Sequence, residues 1–271
     1  MPKTRLKTCI MTQGNTAALK DGRVALPDYD LDFVEVTPIP KAFRRMVRDG
    51  EFEVSEMAAT TYLCAQAHGA KMTALPIFLT RGFHHRAIVC RPEVTGPKDL
   101  EGRVVAINRG YTVTTSVWAR AILAAEHGVD LAAVNWMRTG EEHVPAYVPP
   151  PYVGDFDGAA TLADRLAHGD AVAATGITEA PGTRPLIDAP FQAGMTALRD
   201  RGFSPLNHLL VVRDDVLAAN PDLPVQLFEA FAGAKQLHVD ALKSGQVADE
   251  APTDKVFRAV MEVLDDPLPY G

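Results

Sequence analysis

The chain has 271 residues, 47% hydrophobic and 23% charged, with a formal net charge of −7. These values exclude intrinsic disorder as the default, and the length suits two lobes better than one simple core. The negative charge and the lack of a basic run with interleaved aromatics exclude a general attraction to nucleic acid or anionic lipid.

An anion site in this chain must therefore be locally positive against the overall field. Cys9, Cys64 and Cys90 are far apart, odd in number and without CxxC spacing, so they read as neither a disulfide framework nor a zinc site. The first ten residues carry charge but no apolar stretch long enough for a signal peptide, and no segment has the apolar length to span a bilayer. A soluble cytoplasmic protein is the expectation.

Strand-like and helical patterns alternate along the chain, which predicts an α/β fold with mostly parallel sheets. Strands are expected at Leu6 to Met11, with a loop over Thr12 to Ala17, and at Asp32 to Thr37. A helix follows over Pro40 to Asp49, stopped by Gly50. Phe52 to Ser55 reads as a short strand, Ala58 to His68 as a helix, and Met72 to Phe78 and Phe83 to Cys90 as consecutive strands. A second unit opens at Gly96, with a strand at Val104 to Ile107, a turn at Asn108 to Tyr111 and a helix over Thr114 to His127 that ends at Gly128. Asn135 to Met137 is strand-like, and Val144 to Asp157, rich in Pro and Gly, reads as an irregular loop. Thr161 to His168 is a helix and Ala171 to Thr175 a strand. Beyond a Gly- and Pro-rich passage come a strand at Leu209 to Arg213 and helices at Asp214 to Leu217 and Pro224 to Leu242.

The stretch Pro76 to Cys90 stands out because one arginine and two histidines interrupt an apolar, β-branched run. Read as a strand, it puts Arg81, Phe83, His85, Ala87 and Val89 on one face, with His84 and Arg86 on the other. Such a face suits a pocket for a small anion. The competing reading is a surface strand whose cations are solvated or paired with carboxylates.

Three segments carry a wider resemblance: Gly96-Pro-Lys-Asp-Leu-Glu-Gly-Arg, Leu166-Ala-His-Gly-Asp-Ala-Val-Ala-Ala, and His208 to Leu223. Together they resemble the type II periplasmic-binding-protein superfamily. That resemblance implies a two-lobe α/β fold with a ligand cleft between the lobes. Lobe I would hold residues 1–87 and 206–271, and lobe II residues 88–205.

A narrower set is similar to the 4,5-dihydroxyphthalate decarboxylase family: Phe52 to Met57, Thr80 to Ile88, Tyr111 to Leu123, Trp136, Thr139 to His143, Ser204 to His208 and Asp266 to Gly271. Members of that family continue past the Pro-Tyr-Gly motif into a further helical segment. This chain stops at the motif, so a C-terminal cap and a homodimer contact made there are left as expectations to test.

The narrower resemblance implies a cofactor-independent carboxy-lyase acting on a hydroxylated aromatic acid, with 4,5-dihydroxyphthalate giving protocatechuate as its reaction. The alternative, from a different class, is a solute-binding protein that captures a small organic anion for a transporter. A phthalate carries two carboxylates, and the planar fork of arginine matches a carboxylate at two points, so Arg81 and Arg109 are candidate substrate ligands. Ser55, at a strand end, Tyr111 and Thr114, around a helix start, and His143 complete the binding set. N-capping is the competing reading for the threonine. The proton chemistry falls to His85 and His208, with Glu56 orienting a histidine or acting as base, because histidine titrates near neutral pH. His68, His127, His168 and His238 read as surface residues on helices. Glu141-Glu142-His143 and His84-His85 lack the spacing of helical zinc ligands, and the chemistry needs no metal.

Overall fold

The computed structural model describes residues 2–247 and 250–270. Gly271, the last residue of the Asp266 to Gly271 motif, lies outside the described residues.

The chain forms two compact units, Met1–Gly82 with Leu206–Gly271, and Phe83–Pro205. The first crossing comes after Gly82, five residues before the position expected from sequence. In chain order the first unit runs β1 (Thr4–Cys9), α1 (Gly14–Lys20), β2 (Tyr29–Phe33), α2 (Pro40–Asp49), β3 (Val54–Ala58), α3 (Ala59–Ala67) and β4 (Met72–Arg81). The second unit holds β5 (Ile88–Cys90), β6 (Val104–Ile107), α4 (Thr114–His127), β7 (Asn135–Arg138), β8 (Val153–Asp155), α5 (Leu162–His168), β9 (Ala173–Thr175), β10 (Arg184–Pro185) and α6 (Pro190–Arg201). The chain then returns to the first unit as β11 (Leu206–Arg213), α7 (Asp214–Ala219), α8 (Leu223–Lys243) and α9 (Pro252–Met261).

In the first unit the sheet order is β2-β1-β3-β11-β4. β1 runs parallel to β2 and β3, while β11 is antiparallel to β3 and β4. Leu6, Ile10, Ile77, Leu79, Leu210 and Phe231 belong to the core of this unit, where α8 covers the sheet. The local signals that end α2 are plain. Pro40 enters at the first helical position, where its missing N–H costs nothing, and Gly50 takes the left-handed conformation (φ 58°) with its N–H on the Met46 carbonyl. Lys235 of α8 holds the C-terminal motif: its Nζ donates to Asp266 Oδ2 at 2.6 Å and to the Leu268 carbonyl at 3.0 Å, over the Tyr270 ring.

The helix α1 was not expected, since Gly14, Asn15 and Thr16 are weak helix formers. Packing against α8 overrides that propensity. Gly14 is the point of closest approach, where an added Cβ would stand 2.0 Å from Cε1 of His238. His238 is thus a correction to the sequence reading: its side chain is only 9% exposed and pairs with Asp254 at 2.8 Å. Asp254 in turn accepts the Ala251 N–H at 2.9 Å, capping α9. The ring cannot swing away without breaking that pair. Gly14→Ala is therefore expected to destabilise the first unit by about 2 kcal/mol, read as a lower urea midpoint at unchanged slope.

In the second unit the order is β10-β5-β9-β6-β7-β8, with β6 parallel to β7 and β9, and β5 antiparallel to β9. Trp136, Leu123, Ile107 and Leu100 are fully buried in its core. β8 forms inside the stretch expected to be irregular. The expected strand over Phe83 to Cys90 is replaced by a 3-10 turn at His85–Ala87 and a three-residue β5, while β4 extends to Arg81. Arg81 and His85 therefore do not share a strand face. The unexpected helix α6 begins at Pro190 and tolerates Gly194 in its interior because the Phe83 ring packs there, 2.6 Å from an added Cβ.

Candidate active site

The end of β3 carries the most pointed arrangement in the first unit. The ladder between β1 and β3 stops at the Cys9–Ser55 pair, so Glu56 stands at the carboxyl edge of these parallel strands, where ligand sites of α/β sheets form. Glu56 is fully buried. One of its carboxylate oxygens accepts the Met11 N–H at 2.8 Å, from the loop that leaves β1. The other accepts Nδ1–H of His208 at 2.6 Å. His208 enters from β11, which pairs it with Ala58 of β3 and Thr80 of β4. The register between β11 and β4 shifts on both sides of His208, and such irregularities re-aim side chains. Phe43 of α2 meets the imidazole edge-on, centroids 5.0 Å apart, and fixes its plane.

This geometry has a definite chemical consequence. A buried carboxylate that accepts from Nδ1 sets the imidazole tautomer, so Nε2 becomes the nitrogen that gives or takes a proton. The His208 side chain is 18% exposed. The same buried charge acts on Cys9: burial first, then Glu56, pushes its thiol up to about 11. Cys9 is thus an inert core residue beside the pair.

The other expected site residues fall elsewhere. Ser55 is fully buried and its hydroxyl donates to the Glu56 carbonyl at 2.9 Å, so it does not present a hydroxyl to a ligand. Arg81 follows Thr80, the strand partner of His208. Its guanidinium lies 5.0 Å from the Phe78 ring centroid and donates to the Pro269 carbonyl at 3.5 Å. Burial lowers its pKa, with Asp266 opposing the shift.

His85 belongs to the second unit, enclosed at 2% exposure with Nε2 on Glu126 at 2.9 Å. Its alternation with Arg81 was a property of a strand that does not form.

In the second unit, Tyr111 and Thr114 around the start of α4 were expected to bind the substrate, and the N–H groups of that turn suit a carboxylate. The structure fills that place with the chain's own Glu142. Its carboxylate accepts the N–H groups of Tyr111 (2.5 Å) and Thr112 (3.0 Å), the Thr112 hydroxyl (2.6 Å) and Nη1 of Arg138 (3.0 Å). Burial raises the pKa of this carboxyl, but the hydrogen bonds from Thr112, Arg138 and Tyr111 outweigh it and the net shift is downward.

Arg109 supplies the left-handed residue of the turn (φ 73°), its N–H on the Thr139 hydroxyl at 3.0 Å. Arg120 donates to the Tyr111 carbonyl at 2.7 Å with its guanidinium 3.6 Å from the Tyr111 ring centroid. Burial pulls the Arg120 pKa down, and burial raises the Tyr111 phenol to about 12. Tyr111, Thr114 and His143 are all buried. Glu142 lay within the singled-out Thr139 to His143 motif. Arg120 likewise lay within the singled-out Tyr111 to Leu123 motif, while Arg138 lay in neither.

Among the described residues no group of three or more His, Cys, Asp or Glu side chains is arranged to hold a metal ion. No helix of the described residues is long and apolar enough to cross a membrane.

No family model matches the chain. A protein of Archaeoglobus fulgidus superposes with a TM-score of 0.53 at 14% identity, over 96% of this chain and 89% of that one. The periplasmic aliphatic sulphonate binding protein SsuA of Escherichia coli does so with a TM-score of 0.53 at 15% identity, over 99% and 80%. The fold is that of the periplasmic binding proteins. A Candida albicans gene product described as having the generic form of that fold gives a TM-score of 0.50 at 12% identity, over 98% and 78%. In sequence, the chain is 28% identical over 145 residues to 4,5-dihydroxyphthalate decarboxylase of Pseudomonas putida. That match covers 52% of this chain and spans 55% of the relative, about half of its length.

Proposed function

We propose that the chain is a cofactor-independent decarboxylase of a hydroxylated aromatic acid, of the 4,5-dihydroxyphthalate class. The observation that carries the reading is the Glu56–His208 pair. A buried carboxylate locking a partly exposed imidazole is a proton-transfer device, and capture of an anion needs no such device. The match to the Pseudomonas putida decarboxylase supports the substrate class.

The chemistry follows from the pair. The hydroxyl para to the departing carboxylate pushes electron density onto the ring carbon that bears it. His208, as imidazolium, delivers its Nε2 proton to that carbon while Glu56 holds Nδ1–H. The bond between ring and carboxylate breaks, its electron pair returns to the ring, and carbon dioxide leaves. Solvent reprotonates the imidazole. Arg81, next in chain to the strand partner of His208, binds the carboxylate that stays.

Sharing a fold with a sulphonate-binding protein supports the second reading, capture of a small organic anion without turnover. Incubating the purified protein with 4,5-dihydroxyphthalate separates the two. Released carbon dioxide with a changed ultraviolet spectrum is the expected result. Saturable binding with no carbon dioxide would leave only the capture reading.

A further inference from the structure

The second unit holds a cavity of about 160 Å³ between α4 and α6. Phe83, Trp118, Ala121, Ala197 and Phe203 make most of its wall apolar. One end is different. There His85 Nε2 meets Glu126 Oε2 at 2.9 Å, and Arg201 Nη1 stands 3.1 Å from Glu126 Oε1 without completing a hydrogen bond to it. Two buried polar atoms at this end lack a hydrogen-bond partner, Glu126 Oε1 and His85 Nδ1.

His85 Nδ1 is thus left without a hydrogen-bond partner, and Glu126 Oε1 has only its ion pair with Arg201. A buried acceptor left so costs on the order of 1–3 kcal/mol. A guest that brings a hydroxyl and fills the apolar space would recover it. Size limits that guest to one ring, since an apolar cavity of roughly 150 Å³ accepts benzene. Charge limits it further. Glu126 and Arg201 neutralise each other at this end, so it holds no net charge for an ionic guest to pair with.

We propose that this cavity is a binding site for a small neutral monocyclic phenol. Its ring lies among Phe83, Trp118 and Phe203, and its hydroxyl donates to Glu126 Oε1. The site uses neither Glu56 nor His208, so it stands independently of the decarboxylase reading.

Phenol itself is the probe and toluene its isostere without the hydroxyl, each titrated against the full chain by calorimetry and by saturation-transfer NMR. Phenol is expected to bind saturably with a Kd at least tenfold below that of toluene. Ala197→Leu, which fills the cavity, should abolish both. Glu126→Gln should weaken phenol at least fivefold and leave toluene unchanged. If Glu126→Gln fails to fold, the phenol-to-toluene ratio and Ala197→Leu decide the matter. Absence of saturable phenol binding, equal affinity for the two probes, or phenol binding that survives Ala197→Leu would each overturn the proposal.

Discussion

Replacing His208 by alanine is expected to lower kcat for decarboxylation by roughly 10²–10⁴-fold, the range that a positioned acid or base supplies. KM should change far less, because the lost interaction is made in the transition state rather than on binding. The structure explains why the loss should be specific. His208 sits at an irregular step of the β11–β4 ladder with its side chain 18% exposed, held by Glu56 and edge-on to Phe43, so truncation leaves the backbone ladder of β11 in place. Free imidazole should restore part of the rate, which a purely structural role would not allow.

Glu56→Gln should show a similar fall in kcat with a folded protein. It keeps the size of the side chain but removes the carboxylate that holds Nδ1–H of His208. Arg81→Ala should act on KM instead. Near-normal turnover in His208→Ala would sink the proton-carrier assignment, and a steady-state rate against substrate concentration is enough to show it.

The second large effect is on stability. Glu142→Gln is expected to cost about 3 kcal/mol at pH 7, within the range for breaking one partner of a buried, hydrogen-bonded charge group. Oε1 accepts from Tyr111 N–H and Arg138 and Oε2 from the Thr112 N–H and hydroxyl, so an amide, which accepts with its oxygen alone, turns its NH₂ against one of these two donor pairs. The pH dependence follows from the direction of the shift. The Glu142 pKa is lowered in the folded chain from an ordinary 4.5. Its contribution is thus complete above the unfolded value and is lost as pH falls through the lower folded value. Urea unfolding of the wild type and Glu142→Gln should therefore differ by the full amount at pH 7, and the gap should close below pH 4.5. A gap that stayed constant on acidification would mean that the carboxylate's charge contributes nothing.

Local signals made part of the architecture readable in the chain. Pro40 and Gly50 bound α2, and Thr114 and Gly128 bound α4, because a proline at the first turn and a left-handed glycine beyond the last act within a few residues of themselves. The apolar runs at Val104–Ile107 and Leu209 to Arg213 marked β6 and most of β11 for the same reason. The candidates Glu56 and His208 were also visible as single residues.

Their meeting was not, and neither were the partners of the others. Glu56 and His208 stand 152 positions apart, and only the antiparallel seating of β11 against β3 brings them to 2.6 Å. Glu142 fills an anion place that the turn at Tyr111 and Thr112 had seemed to keep open, from 30 positions downstream. The alternation through Arg81 and His85 fits a strand equally well on paper. In the folded chain a turn interrupts it, and His85 finds Glu126, 41 positions away, instead. Helix ends and apolar runs depend on neighbours in sequence, so the sequence alone could set them. Which carboxylate neutralises which cation depends on neighbours in space, and tertiary packing decided each of those pairings.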